Sequence, residues 1–279
     1  MTIAMDVVIE KLHDLPSLPA IVMEIMQSIG QSDVDIKTLA DKVQRDQALS
    51  AKTLRLANSS FYGMQRKVTT IQQAISILGF HSVRTLVTAA AVTGSFQAVK
   101  FRDFNFHAFW RHAIASAVCA KVLARHCQAN QEYAFMAGLL HDIGRLALVT
   151  AFPLEYAAVI AHRATEDCYL FNAERAILGV DHAYAGLVLA ERWKFPDIMQ
   201  KAVGNHHDLI NQPHDSLAAI VHVADAIVHA LDLSDQEDDL VPPLSGIAWD
   251  SLHINQQDFL QICRDTDLQF EEASHILTA

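Results

Sequence analysis

The sequence predicts an all-α protein, and three observations point to that fold class. Apolar residues recur at intervals of three and four along most of the chain, which is the spacing of one helix face. No alternating run of Val, Ile and Thr lies between turn residues, as a β-strand would require. Helix signals also divide the chain: Thr70 and Gln73 have the capping-box pattern, and Gly79 stands where that helix should end. We therefore expect a multi-helix core with an N-terminal helical subdomain.

Three segments are expected along the 279 residues. Residues 1–98 form an N-terminal helical unit, and residues 99–232 form the helical core. Residues 233–279 begin with an acidic loop that contains Pro242-Pro243, where helical spacing stops, and then return to helical spacing.

Composition argues against several classes of function. The N-terminus lacks the pattern of a signal peptide, and we expect no apolar run of the ~18 residues that a membrane span needs, so the protein should be cytoplasmic with no membrane partner. The four cysteines form no CxxC pair, which disfavours both a disulfide framework and a thiolate zinc site. After residue 100 the chain has 11 Lys and Arg against 24 Asp and Glu, which disfavours nucleic acid as a partner. Basic residues between 37 and 55 are expected on solvated helix faces rather than on DNA.

Histidine, the commonest metal ligand, is unusually abundant, with 15 in the chain. The dipeptide His-Asp occurs four times, so the pair at His141-Asp142 is not special as a pair. Its position is special, because Asp142 falls on the apolar stripe of a helix predicted over residues 132–149, with His141 about 100° away around the helix. An ionised carboxylate that faces a core needs a charged partner or a cation. We therefore expect His141 and Asp142 to bind a metal together.

Four further helices place a histidine or an aspartate on an apolar face. These residues are His112, His182, His206 and Asp225. Taken singly, each is most simply a core residue with one hydrogen bond. Five helices that all direct such residues inward favour one shared metal site instead. Imidazole and carboxylate ligands together suit Fe, Mn, Zn or Ni, whereas Mg prefers oxygen alone. We expect one or two divalent ions, with Fe or Mn favoured and Zn, Ni or Mg as alternatives.

Longer stretches resemble a known family. The order His112, His141-Asp142, Asp225 resembles that of the HD superfamily of metal-dependent phosphohydrolases. The stretches "LPSLPAIVMEIM", "VQRDQALSAKTLRLANSSFYG", "VTTIQQAISILGFHSVRTL" and "FWRHAIASA" resemble, more specifically, the HDOD domain, the HD-related output domain of bacterial signalling proteins. This resemblance covers about residues 12–230, with Gln47 where the family usually has proline. It implies a helical fold and a regulatory role in signal transduction, with an unidentified signalling protein as partner.

The resemblance also implies a fuller ligand set. His182 and the pair His206-His207 stand where the related HD-GYP phosphodiesterases supply ligands to a second metal, so that Asp142 would bridge two ions. Such a pair of ions can hold a phosphodiester and activate water. Arg145 replaces a substrate-binding lysine of those enzymes, and no GYP motif follows the histidine pair. The alternative to regulation is a metal-dependent phosphohydrolase or phosphodiesterase that acts on a nucleotide or cyclic dinucleotide, with Asp142 and Arg145 as its catalytic residues.

Two more histidines flank Asp225 on its helix, His222 three residues before it and His229 four residues after it. We expect both in a core or exposed position. The alternative is that one of them supports Asp225 as a hydrogen-bond partner behind the ligands.

Overall fold

The computed structural model describes residues 3–15, 36–58, 67–80, 104–209, 216–234 and 240–274, with isolated positions at 20, 23–24, 83, 86–88 and 90–91. These residues form helices and connecting turns without any strand, which confirms the predicted all-α class. The first helices are α1 (Met5–His13), α2 (Ile36–Arg45), α3 (Gln47–Ala57) and α4 (Ile71–Leu78). The central helices are α5 (Phe106–His126), α6 (Gln131–Leu140), α7 (Ile143–Ala151), α8 (Pro153–Glu166), α9 (Leu170–Leu178), α10 (His182–Arg192), α11 (Asp197–Asn205) and α12 (Ser216–Ala230). The last are α13 (Gly246–Ser251) and α14 (Gln256–Ser274).

Helix α4 shows how the local sequence sets helix ends. The hydroxyl of Thr70 accepts a hydrogen bond from the backbone N–H of Gln73 at 3.1 Å, as the capping-box pattern predicted. The Gln73 side chain returns to the backbone N–H of Thr69, at 3.0 Å, rather than to that of Thr70. Gly79 ends the helix with φ at 85°, a backbone conformation that glycine adopts without a steric penalty.

The prediction of a single helix over residues 132–149 is wrong, because a turn at His141-Asp142 separates two helices, α6 and α7. His141 still has helical backbone angles, whereas Asp142 has φ −94° and ψ 8° and begins the next helix. Apolar spacing did not reveal the break because buried apolar residues continue through both α6 and α7, so that their spacing predicts one helix.

The same stretch bears on the membrane prediction. Residues Gln131–Ala151 are long and apolar enough to cross a membrane by length and composition, so the expectation that no such run exists was wrong. The most apolar window of this stretch is 78% buried inside the fold. Packing within the core therefore accounts for its apolar character.

Helix α5 lies at the centre of the core, packed against α6, α12 and α14, while α10 packs against α7 and α11. Two contacts between helices are unusually close. A Cβ on Gly138 of α6 would lie 2.6 Å from the backbone oxygen of Ser116 on α5, and a Cβ on Gly144 of α7 would lie 1.9 Å from the backbone oxygen of His182 on α10. These contacts require glycine, and they bring the backbones near enough for short His and Asp side chains from different helices to meet.

The N-terminal segment contacts this core through α1, which packs against α7 and α10. Leu12 of α1 is fully buried, and its carbonyl oxygen accepts a hydrogen bond from Arg192 at 3.1 Å. The boundary expected at residue 98 lies outside the described residues, and the boundary expected at residue 232 stays a prediction.

Candidate metal centre

The seven residues expected as metal ligands meet in one place inside the core. They come from the middle of α5, the turn between α6 and α7, the first residue of α10, the turn after α11 and the middle of α12. All seven are largely buried, and only one of them, His207, is more than 5% exposed. The residues brought together are His112, His141, Asp142, His182, His206, His207 and Asp225.

One half of the cluster, named site A, consists of His112, His141 and Asp225. The Nε2 atom of His112 lies 3.1 Å from Oδ1 of Asp225 and 3.2 Å from Nε2 of His141. Nε2 of His141 lies 3.6 Å from the same Asp225 oxygen. Two ligands that are each about 2.1 Å from one ion are themselves about 3.0–3.4 Å apart. The spacing in site A is therefore close to that of ligands around a common cation.

The other half, named site B, consists of His182, His206 and His207. The Nε2 atoms of His182 and His207 are 2.8 Å apart, and one nitrogen from each of the three imidazoles lies within 4.8 Å of the other two. Asp142 lies between the two halves. Its Oδ1 is 3.2 Å from Nε2 of His182, 3.8 Å from Nε2 of His206 and 3.6 Å from Nε2 of His141. One carboxylate oxygen therefore contacts both sites.

The two turns that carry ligands orient their histidines in the same way. His141 and His206 each follow the last residue of a helix, and each ring donates from Nδ1 to a backbone carbonyl three residues earlier, Gly138 or Val203, at 2.7 Å. This bond uses an acceptor that the end of a helix leaves available. It also fixes the ring so that Nε2 points into the cluster.

His182 is oriented by a carboxylate that the sequence analysis missed. Oε2 of Glu174 accepts hydrogen bonds from Nδ1 of His182 at 2.6 Å and from its backbone N–H at 2.8 Å. Oε1 of Glu174 accepts a third bond from the hydroxyl of Tyr156 at 2.9 Å, and the Glu174 side chain is fully buried. The signal was present in the sequence, since Glu174 lies four residues after Leu170 and four before Leu178 and therefore shares a helical face with both.

Opposing charges dominate the electrostatics of the cluster. Burial raises the pKa of Asp142, but His141, His182 and Arg145 more than offset it, so that its pKa lies well below the ordinary value. Burial likewise raises the pKa of Asp225, and nearby histidines bring it well below the ordinary value. Both carboxylates are therefore ionised at neutral pH, and they supply negative charge next to both groups of imidazoles.

The histidines of site B differ from one another in charge. Burial, with His141 and His182 nearby, lowers the pKa of His206 to about 3, so its ring is neutral. Burial also lowers the pKa of His182, but Glu174 and Asp142 outweigh that effect and raise it to about 9. A neutral imidazole is the form that binds a metal.

His206 supplies the test of whether a cation fits. Its Nε2 is fully buried and has no hydrogen-bond partner, although its Nδ1 is satisfied by Val203. A buried polar atom without a partner costs about 1–3 kcal/mol. That nitrogen points toward the ionised carboxylate of Asp142, 3.8 Å away, so a shared divalent cation would satisfy both groups. The residues present therefore fit a divalent metal bound by nitrogen and oxygen.

A partly open pocket reaches the cluster, so the candidate metal centre is accessible to a small molecule from outside the core. Five residues of the cluster or next to it line the pocket: Asp142, His182, His207, Asp225 and His229. The rest of the lining combines two arginines with aromatic and apolar side chains: Arg145, Arg163, Tyr169, Leu170, Phe171, Leu240 and Pro242. The pocket therefore offers positive charge and ring surfaces beside the candidate metal ligands.

Arg145 lies in this pocket but is largely occupied by Asp142. Its guanidinium donates to Oδ2 of Asp142 at 2.9 Å, and it lies over the rings of Phe104 and Phe109 at 5.7 and 5.6 Å. Burial lowers its pKa, but Asp142 outweighs that effect and raises it, so the group stays charged. Its first role in this geometry is to hold Asp142 in place.

The two histidines that flank Asp225 have separate positions. His222 donates from Nδ1 to the carbonyl of His206 at 2.6 Å and accepts at Nε2 from the backbone N–H of Ser245 at 2.9 Å, so it has the expected core position. His229 directs Nε2 at Oδ1 of Asp225, 3.2 Å away. Its geometry therefore fits the alternative, in which one of the two contacts Asp225.

Comparison with known proteins identifies similar chains. The family model described as the HDOD domain matches residues 15–209. An uncharacterized protein of Treponema pallidum is 25% identical over 217 residues, which is 77% of this chain and 42% of that protein. The chain thus spans about two fifths of the length of the curated relatives it matches.

Two solved structures have a similar fold. A "Putative phosphohydrolase" from Shewanella amazonensis is 28% identical, with a TM-score of 0.71 and coverage of 93% of this chain and 98% of that chain. An HDOD domain protein with unknown function from Geobacter sulfurreducens has a TM-score of 0.77 at 24% identity, with coverage of 99% and 94%. At that identity the second likeness supports the fold alone.

Proposed function

The chain belongs to the HDOD domain family, and on that basis we propose that it is a regulatory signal-transduction protein with a binuclear divalent-metal centre. In this proposal His112, His141 and Asp225 hold one ion, the histidines of site B hold the other, and Asp142 binds both. The observation that carries the proposal is the position of Asp142, whose Oδ1 lies 3.2 Å from His182 and 3.6 Å from His141. Imidazole with carboxylate favours Fe or Mn, with Zn, Ni or Mg as alternatives.

A physical link between site B and the surface supports a regulatory role. His222 bonds both to the carbonyl of His206 and to the backbone N–H of Ser245. Ser245 is the last residue of the segment 240–245. Leu240 and Pro242 of this segment line the pocket, and Val241 is 48% exposed to solvent. A change of metal or ligand at site B would therefore alter a surface that a signalling partner can read.

The second candidate function is a metal-dependent phosphohydrolase or phosphodiesterase, and the pocket beside the ligands favours it. Bound divalent ions supply Lewis acidity toward a phosphate ester. Arg163 provides positive charge in the pocket, and the stacked rings of Tyr169 and Phe171 add aromatic surface beside it. Arg145 would hold Asp142 oriented for both ions. The substrate class in this case is a nucleotide or a cyclic dinucleotide.

Metal analysis of untagged protein tests the proposal. We expect two divalent ions per chain in the wild type, and close to none in the double variant His141→Ala with Asp142→Ala, with circular dichroism as the check on folding. Wild-type protein without stoichiometric metal, or a double variant with full metal content, would contradict the proposal.

A turnover screen separates the two candidate functions. Phosphomonoesters, nucleotides and cyclic dinucleotides are incubated with the protein and added Mn²⁺ or Fe²⁺. Turnover that disappears in Asp142→Ala would favour the enzyme. Metal-loaded protein without turnover on any of them would favour the regulatory role.

A further inference from the structure

A third imidazole approaches the carboxylate of site A. Nε2 of His229 lies 3.2 Å from Oδ1 of Asp225, which is nearly the distance from the same oxygen to Nε2 of His112, 3.1 Å. One ligand atom each from His112, Asp225 and His229 lies within 4.8 Å of the other two. The rings of His112 and His229 are 4.6 Å apart at their centroids and tilted by 41°, so they do not lie flat on each other.

Hydrogen bonding to Asp225 alone does not account for this convergence. Three Nε2 atoms, from His112, His141 and His229, lie 3.1, 3.6 and 3.2 Å from the single oxygen Oδ1. The two lone-pair sites of that oxygen can serve His112 and His229, but His141 at 3.6 Å lies beyond hydrogen-bond distance, so hydrogen bonding leaves its approach to the same oxygen unexplained. The separations of His112 and His229 from Oδ1, 3.1 and 3.2 Å, also fall within the ~3.0–3.4 Å expected between ligands of one ion, and His141 lies just beyond that range. A cation shared by the nitrogens and the oxygen explains all three distances at once.

The position of His229 on α12 explains how it reaches the site. It follows Asp225 by four residues, so the two side chains share one helical face. Its side chain is 14% exposed and lines the pocket, whereas those of His112 and His141 are 2% and 1% exposed. His229 therefore approaches the same point from the solvent side.

We infer that His229 is a further ligand of the site A ion, an inference that rests on the proposed metal centre. Each ion then has three histidine ligands: His112, His141 and His229 at site A, and His182, His206 and His207 at site B. Asp225 completes site A, and Asp142 is shared. A centre with six imidazole nitrogens selects Fe, Mn, Co, Ni or Zn and disfavours Mg²⁺, which prefers oxygen ligands.

The experiment uses Co²⁺ as the probe in metal-depleted full-length protein. Proton NMR of the Co²⁺ form resolves hyperfine-shifted N–H signals from ligand imidazoles. Wild type should show six such signals, and His229→Gln should lose one. Glutamine keeps an N–H that can bond to Asp225 but is a poor metal ligand. Co²⁺ affinity at site A should fall more than about 100-fold, beyond the 10- to 100-fold typical of partners behind the ligands.

The exposed residue His107 on α5 supplies the matched control, because His107→Gln should keep all six signals and the wild-type affinity. A second variant, His229→Asp, should lose the same imidazole signal while it keeps two bound ions, since carboxylate can replace imidazole as a ligand. Full signals and full affinity in His229→Gln would overturn the inference and leave the metal centre intact. Wild-type protein that binds no Co²⁺ would overturn both.

Discussion

Sites A and B share one construction and differ in where their negative charge lies. In each, a histidine that follows a helix donates from Nδ1 to the carbonyl three residues earlier, and the next residue in the chain is a second candidate ligand. Site A contains a carboxylate, Asp225, among its own ligands. The ligands of site B are three histidines, and its carboxylate, Glu174, lies behind His182. Both halves reach the pocket, site A through Asp225 and site B through His207, whose ring packs against that of Phe171 with centroids 4.7 Å apart.

Because of this difference in charge, we expect the two halves to exchange their metal ions with different ease. Both ions share Asp142. An ion at site A is also attracted by Asp225 directly, whereas the second carboxylate of site B, Glu174, acts through an imidazole. Site B is also the half connected to the segment 240–245 through His222. We therefore expect site A to hold its ion tightly, and site B to respond to metal supply or to a ligand in the pocket.

The largest expected effect is loss of one ion from one half only. Asp225→Ala removes the carboxylate of site A and should leave about one ion per chain, bound at site B through Asp142. His207→Ala is the matched variant for site B and should leave one ion at site A. Metal analysis with native mass spectrometry counts the ions. Loss of both ions in both variants would show that the halves are not separable.

The next effect is a loss of stability caused by steric overlap at the close contact between α7 and α10. A Cβ at residue 144 would lie 1.9 Å from the backbone oxygen of His182, so Gly144→Ala should destabilise the fold by about 3 kcal/mol or more and displace a site B ligand. Urea unfolding measures the free-energy change. Gly246→Ala is the control, because a Cβ at residue 246 would meet no atom of the described residues within 4 Å, and stability should not fall. Equal stability of Gly144→Ala and wild type would contradict the close contact.

A smaller effect is expected from the charge behind site B. Glu174→Gln keeps the shape and the hydrogen-bonding positions of the side chain but removes its charge, so metal affinity at site B should fall about 10- to 100-fold while site A is unchanged. Competition with a chelator of known affinity measures both sites. Glu166→Gln, an exposed change on α8, is the control. An equal loss at both sites would remove the distinction between them.

The smallest effect is expected at Tyr156. Tyr156→Phe leaves one buried oxygen of Glu174 without its hydrogen bond and should cost about 1–3 kcal/mol of unfolding free energy, with less loss of site B affinity than Glu174→Gln causes. Thermal and urea unfolding, together with the same chelator competition, measure both quantities. If Tyr156→Phe lost as much site B affinity as Glu174→Gln, the hydrogen bond from Tyr156 would matter as much as the charge of Glu174, which contradicts the prediction.

Residues within one helix were easier to predict than contacts between helices. Helical spacing and the family resemblance predicted the seven residues that the fold brings together, and the start of α4 at Thr70 follows from local pattern. The break at His141-Asp142 was missed because buried apolar residues continue on both sides of the turn and their spacing predicts a single helix. The partnership of Glu174 with His182 depends on the reversal at Gly179, where φ is 83°, and no periodicity encodes that approach.

His229 is another residue whose contacts depend on the packing of several helices and could not be predicted from one helix alone. Its spacing from Asp225 was visible in the sequence, and the shared helical face followed from it. Spacing alone could not show that α5 and α6 bring His112 and His141 to the same carboxylate oxygen, since that depends on helix packing and on the close contact at Gly138.

Electron paramagnetic resonance of the Mn²⁺-loaded protein tests most directly whether Asp142 joins two ions. At two ions per chain, a shared carboxylate places the ions close enough for magnetic coupling. The wild type should give an exchange-coupled spectrum, whereas Asp142→Asn should give only isolated Mn²⁺ signals or lose an ion, and Glu174→Gln at saturating Mn²⁺ should keep the coupling. Fully loaded wild-type protein that shows only isolated Mn²⁺ signals would contradict a centre bridged by Asp142.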